Sequence, residues 1–145
     1  MTAIRKACPV VLRRGRRGPE ILVFGHPTAG TQLVKGTVED GEEPASAALR
    51  ELREESGIAH AVVEAFLGIL RLEEAPEEEW YVFLCRTEPL PDTWRHLAED
   101  DCGHEFSFFW HPLDEAPGED WHPIFKAALD FIRAALRTAS RGHGR

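Results

Sequence analysis

Apolar residues along this chain recur first at the two-residue spacing of strands and then at the spacing of a helix. Ala7 to Leu12 and Ile21 to Phe24 are short β-rich runs parted by glycine and arginine, which predicts an antiparallel pair early in the fold. Gln32 to Lys35 predicts a third strand. From Pro44 the period changes: Ala45, Ala48, Leu49 and Leu52 return at helical spacing, Pro44 suits a first turn and Gly57 a left-handed stop. The spacing predicts a helix over Pro44 to Ser56. Val62 to Leu70, Trp80 to Cys85 and Phe106 to Trp110 predict further strands, with the acidic, proline-containing stretch Glu73 to Glu79 as a solvated loop. Ile124, Phe125, Ala128, Leu129, Ile132, Ala135 and Leu136 form the apolar face of a closing helix. Residues 139–145 have nothing to pack and are expected to be a disordered tail. Strands broken by one helix and closed by another predict a single α/β domain over 1–138, with a mixed sheet carrying helices on its faces.

A chain of 145 residues fits one domain that buries a core without disulfides or a structural metal. Three cysteines, Cys8, Cys85 and Cys102, are odd in number and lack any CxxC or zinc-like spacing, which fits a reduced, cytoplasmic protein. The N-terminal run MTAIRKACPVVLRR has no long apolar stretch, so neither a signal peptide nor a membrane span is expected. A balance of 17 basic against 25 acidic residues argues against nucleic acid as a partner, because such binding draws on phosphate neutralisation. Arg13, Arg14, Arg16 and Arg17 surround Gly15 and Gly18; they could grip phosphate, but between two apolar runs they fit an exposed hairpin turn better. The seven histidines are scattered without ligand spacing, and none is assigned a catalytic role.

The acids are concentrated instead. Residues 36–58 carry Glu39, Asp40, Glu42, Glu43, Glu51, Glu54 and Glu55 against only Arg50 and Arg53. Glu51, Glu54 and Glu55 fall at i, i+3 and i+4, which sets three carboxylates on one side of the predicted helix. Like charges at that spacing repel, so the helix either is simply solvated there or holds a divalent cation, and hard oxygen donors suit Mg²⁺ or Mn²⁺. The apolar and carboxylate stripes lie on neighbouring sides, so one can pack while the other faces a cleft.

The same segment resembles the signature of the Nudix hydrolases: Gly36, then Glu42 after five residues, then Arg50, Glu51, Leu52, Glu54, Glu55, Gly57 and Ile58, with no specified position missing. The resemblance implies the Nudix fold, an α/β/α sandwich with a mixed β-sheet in which the signature forms a loop, helix and loop. It also implies a pyrophosphohydrolase that cleaves the phosphoanhydride bond of a nucleoside diphosphate linked to another moiety and requires Mg²⁺ or Mn²⁺. By the same resemblance the metal ligands are Glu51, Glu54, Glu55 and the carbonyl of Gly36. Arg50 braces the catalytic glutamate, Glu42 supports the loop, and Gly57 caps the helix.

Several roles stay open. The water-activating base is Glu51 or a carboxylate from a distant loop, and Glu99, Asp100, Asp101 and Glu105 precede the strand FSFFW. Of these Glu105 stands nearest a sheet edge and ranks second to Glu51. Lys35 could offer charge to a phosphate; Trp80, Tyr81, Phe108 and Trp110 are possible nucleobase platforms, although most aromatics in so small a domain must be packing residues. No marker for ADP-ribose, coenzyme A or dinucleoside polyphosphate follows the signature. The expected partner is a small nucleotide; a dinucleoside polyphosphate or capped RNA end, and a non-catalytic nucleotide-binding module, are the alternatives. Family members often pair, and the N-terminal strands are the edges considered for a homodimer.

Overall fold

The computed structural model describes residues 3–99 and 103–143. The elements in chain order are β1 (Ile4–Gly15), β2 (Gly18–His26), β3 (Gly30–Gln32), β4 (Gly36–Thr37), α1 (Pro44–Ser56), β5 (Val62–Leu72), β6 (Ala75–Arg86), β7 (Trp94–Leu97), β8 (Glu105–Pro112) and α2 (Pro123–His143). They form one sheet of order β5-β6-β1-β2-β8-β7, with β3 added to β2 and β4 to β1. Only the β1–β6 pairing is parallel, so the sheet is mixed, as expected.

Strand alternation divides the core into two layers. Ala7, Val11, Leu22, Phe24, Phe83 and Phe108 point to the side where α1 buries Ala47, Ala48 and Leu52. Cys8, Val10, Ile21, Val23, Trp80 and Val82 point to the other side, where α2 supplies Phe125, Ala128, Leu129 and Ile132. The α/β/α sandwich therefore follows from two-residue periodicity in central strands buried on both faces. Helix α1 has the predicted bounds, with Pro44 in its first turn and Gly57 at φ 82° closing it. Gly15 pairs with Gly18 around Arg16 and Arg17, so the basic cluster is a hairpin turn. Arg13 is the exception: its guanidinium bonds Glu20 and Asp92 and lies 4.5 Å over the Trp110 ring.

Three expectations need correction. Residues 33–35 are not a strand; Leu33 buries toward α2 and Val34 toward α1 while the chain changes ladder partner from β2 to β1. The acidic stretch is not a loop, because β6 begins at Ala75 and leaves only Glu73 and Glu74 in the turn. Its acids are placed by pairing: Glu79 bonds Arg71 at 2.7 Å, Glu78 accepts the Trp80 indole N–H, and both sit in register with β1. The N-terminal strands offer no edge, since β1 and β2 lie inside the sheet and β5 and β7 end it. Helix α2 runs to His143. Strand β7 was not foreseen. No described helix is long and apolar enough to cross a membrane.

Leu52 is fully buried where α1 meets the sheet. Leu52→Ala is expected to cost about 2–5 kcal/mol through lost contacts and a residual cavity, measured as a shift in urea midpoint with an unchanged slope.

Candidate functional site

The geometry is organised around Arg50, in the second turn of α1. Its Nε and Nη2 donate to the two carboxylate oxygens of Glu42 at 2.8 and 3.0 Å, a paired fork. Nη2 also donates to the Thr37 carbonyl, and Nη1 donates to Oε1 of Glu51 at 2.8 Å and of Glu54 at 2.9 Å. One cation thus gathers the loop after β4 and two helical carboxylates. Hydrogen bonding to Glu42 dominates the stabilisation of the charged guanidinium, while burial opposes it. In return the Arg50 bond, the largest influence, holds the Glu42 carboxyl below its ordinary value. Glu42 is itself placed by its Oε1 accepting the Glu39 backbone N–H at 3.0 Å.

Gly36 explains how Glu51 fits. A Cβ built there would stand 1.9 Å from Glu51 Cδ, so only glycine lets that carboxylate lie against the backbone of β4. Glu51 is 7% exposed, a charge held out of water whose partner is Arg50. Glu54 and Glu55 are half-buried. The donor chemistry fits Mg²⁺ or Mn²⁺: hard carboxylate oxygens on one helix flank beside a close-packed glycine backbone. Yet no described group of three or more acidic, histidine or cysteine side chains is arranged to enclose an ion, because Arg50 draws Oε1 of Glu51 and Glu54 toward itself.

The remaining candidates separate by strand register. Ala7 pairs with Gly36 on one side and Tyr81 on the other, which sets Tyr81 two strands from Gly36 on the α1 side of the sheet. Tyr81 stacks on Phe66 with ring centroids 6.2 Å apart, and Phe66 is 54% exposed. Trp80, one residue away, faces α2, is wholly buried and packs against Phe125, so it offers no face to a nucleobase. Phe108 is buried and stacked on Trp94, and Trp110 lies under Arg13. Lys35 holds its ammonium 5.4 Å over the Trp80 ring. Glu105 lies apart: alternation turns Phe106 and Phe108 toward α1 and Glu105 away, where it meets exposed Arg95 at 3.8 Å. Glu99 comes nearer, its backbone N–H donating to the Glu54 carbonyl at 3.3 Å. Asp100, Asp101 and Cys102 lie outside the described residues.

Two features escaped the sequence. Phe66 was hidden inside a strand pattern, and its only signal was an aromatic at a position that edge-strand geometry leaves uncovered. His26 and His104 meet at 5.0 Å, edge to face, although far apart in the chain. Of the described cysteines, burial pushes the Cys8 thiol up to about 12 and that of Cys85 to about 11.

The family model described as NUDIX domain matches residues 4–130. No curated protein matches the sequence significantly. Among solved structures, an Ap4A hydrolase from C. elegans superposes with a TM-score of 0.64 at 22% identity, covering 92% of this chain and 98% of that one. A Nudix hydrolase from M. smegmatis, RenU, gives 0.68 at 15% identity over 95% and 88%. An ADP-ribose pyrophosphatase from Streptococcus suis gives 0.61 at 15% identity over 92% of each chain. At these identities the likeness is one of fold.

The lowered carboxyl of Glu42 generates a pH prediction. Its stabilising effect is present above the ordinary carboxylate value of 4.5 and is lost as pH falls through the lowered folded value. Wild type is therefore expected to be more stable than Glu42→Gln at pH 7, the gap closing in acid. Parallel thermal melts across pH 2.5–7 check it; a gap of constant size would contradict the assigned bond.

Proposed function

The chain belongs to the NUDIX family, and from that membership we propose a divalent-metal-dependent hydrolase that cleaves a pyrophosphate bond in a nucleoside diphosphate derivative. The observation that carries this proposal is the buried Glu51 carboxylate seated against Gly36 and bridged through Arg50 to Glu54. An arrangement that holds carboxylates close together and partly out of water gathers hard oxygen donors where a hard cation is the complementary ligand.

The carboxylates of Glu51, Glu54 and Glu55 and the carbonyl of Gly36 would hold Mg²⁺ or Mn²⁺. When bound, the ion neutralises phosphate charge and makes water more acidic. Arg50 orients the carboxylates, an outer task that fixes their geometry without touching the substrate. Glu51 is the proton acceptor we propose for the attacking water, ranked ahead of Glu105, which turns to the other side of the sheet. The Tyr81–Phe66 pair offers the aromatic surface on the α1 side for a nucleobase. Lys35 would have to leave the Trp80 ring to meet a phosphate.

Substrate identity calls for a panel of ADP-ribose, Ap4A, a UDP-sugar, nucleoside triphosphates and a capped RNA end, scored as kcat/KM with Mg²⁺ and Mn²⁺ in parallel. Glu54→Gln is expected to lower kcat by more than the roughly 10–100-fold typical of changes outside the first coordination sphere, with an unchanged circular dichroism spectrum. Full activity in that variant would refute the assigned site. Saturating metal should also raise Tm by mass action in wild type, and by less in Glu54→Gln.

A further inference from the structure

The sheet is open along β5. Among the described residues this strand pairs only with β6, and it runs for 11 residues with Glu64 and Arg71 as its charged side chains. Val62 is 45% and Phe66 54% exposed, two of the four large apolar side chains that the described surface leaves uncovered. Beside the strand a groove of about 400 Å³ lies between Ala65 and Leu67 of β5 and Phe131, Ala134, Ala135 and Thr138 of α2. A sheet edge next to uncovered apolar surface is a place for another chain to dock.

The order of charges along β5 selects the occupant. Glu64 and Arg71 stand at equal distances either side of the midpoint between Leu67 and Gly68. Two copies approaching antiparallel about a two-fold axis at that midpoint set each Glu64 opposite an Arg71 and each Phe66 opposite an Ile69. Phe66 and Ile69 are in register with Phe83 and Tyr81, both on the α1 side, so they meet on one face. Arg71 shares that face beside Glu79, whereas Glu64 is the extra residue of a bulge between Val63 and Ala65, so no ladder pairing commits it to either side. Within its own chain Arg71 holds Glu79 at 2.7 Å and Glu64 reaches Arg86 at 3.8 Å, so the cross pairs join these into networks of alternating sign. The bulges interrupt the strand, which makes this a contact of side chains rather than one continuous ladder. Self-complementary order on one strand is what an isologous contact requires; a foreign segment would have no need of it.

We propose that β5 and the adjoining face of α2 bind a second copy of this chain, antiparallel about a two-fold axis. The contact does not depend on what the carboxylates of α1 hydrolyse. The test is sedimentation equilibrium of the full chain and of three variants whose folding is checked by circular dichroism. Arg71→Glu and Glu64→Arg each set like charges against one another across the axis, and Ala134→Arg places a long side chain in the groove from an exposed helical position. Wild type is expected to dimerise at micromolar concentration, and each variant to raise the dissociation constant at least about tenfold. Mixing Arg71→Glu with Glu64→Arg should restore a dimer, because one copy then brings two glutamates to the axis and the other two arginines. The proposal is overturned by a wild type that stays monomeric at high micromolar concentration, or by a dimer that folded Arg71→Glu and Ala134→Arg leave undiminished. It is equally overturned if the mixture associates no more tightly than either variant alone.

Discussion

One guanidinium holds this site together. Arg50 contacts Glu42, Glu51, Glu54 and the Thr37 carbonyl at once, so the loop after β4 and the helix α1 share a single positive centre. Planar, forked donors suit this task; a lysine ammonium could not match two carboxylate oxygens and two further directions in the same way. Removing the cation would leave Glu51 as a buried charge without its partner, a larger penalty than loss of an exposed pair. The arrangement also needs Gly36, because any side chain there would occupy the Glu51 carboxylate's place.

Packing supplies the frame for that centre. Leu52, Ala47 and Ala48 anchor α1 to one face of the sheet, while its neighbouring side presents the carboxylates. Small alanines bring the helix close to β1, and closeness is what puts Glu51 against β4, which pairs with β1 at Ala7. Helix α2 covers the opposite face and leaves the carboxylates to one side only. Core and chemistry are thus divided between two stripes of one helix, each dictated by its 3.6-residue period.

Local signals were the most legible ones. Proline at the start, glycine at the end and an apolar stripe between them delimit α1, because capping and periodicity act within a few residues. Side-chain direction on β8 was harder to read: Glu105 looked close to the site along the chain, yet whether a strand residue faces α1 or turns away depends on register with β2 and β7. Trp80 and Tyr81 differ by one residue and by a whole face of the sheet. The acidic start of β6 resembled a loop because its partners, Arg71 and the β1 backbone, come from elsewhere in the chain. Strand β7 is only four residues long, too short for alternation to stand out, and its place rests on pairing with β8. Nonlocal pairing, then, is what sequence periodicity alone leaves unspecified.

Arg50 also bears on how a cation would be admitted. Carboxylates that repel one another across a helical turn would splay apart in the absence of positive charge, and the guanidinium supplies that charge from within the chain. It engages Oε1 of Glu51 and of Glu54, the groups a dication would compete for. Its hold on Glu42 is the strongest influence on its ionisation, so a guanidinium that yielded those two helical oxygens would still be anchored by the loop carboxylate. On the proposed function, the loop acid would keep the brace in position while the helical carboxylates exchanged it for a dication. Glu42 and Gly36 belong to the proposed site as much as the three glutamates do, one by holding the guanidinium that bonds Glu51 and Glu54 and the other by leaving room for Glu51.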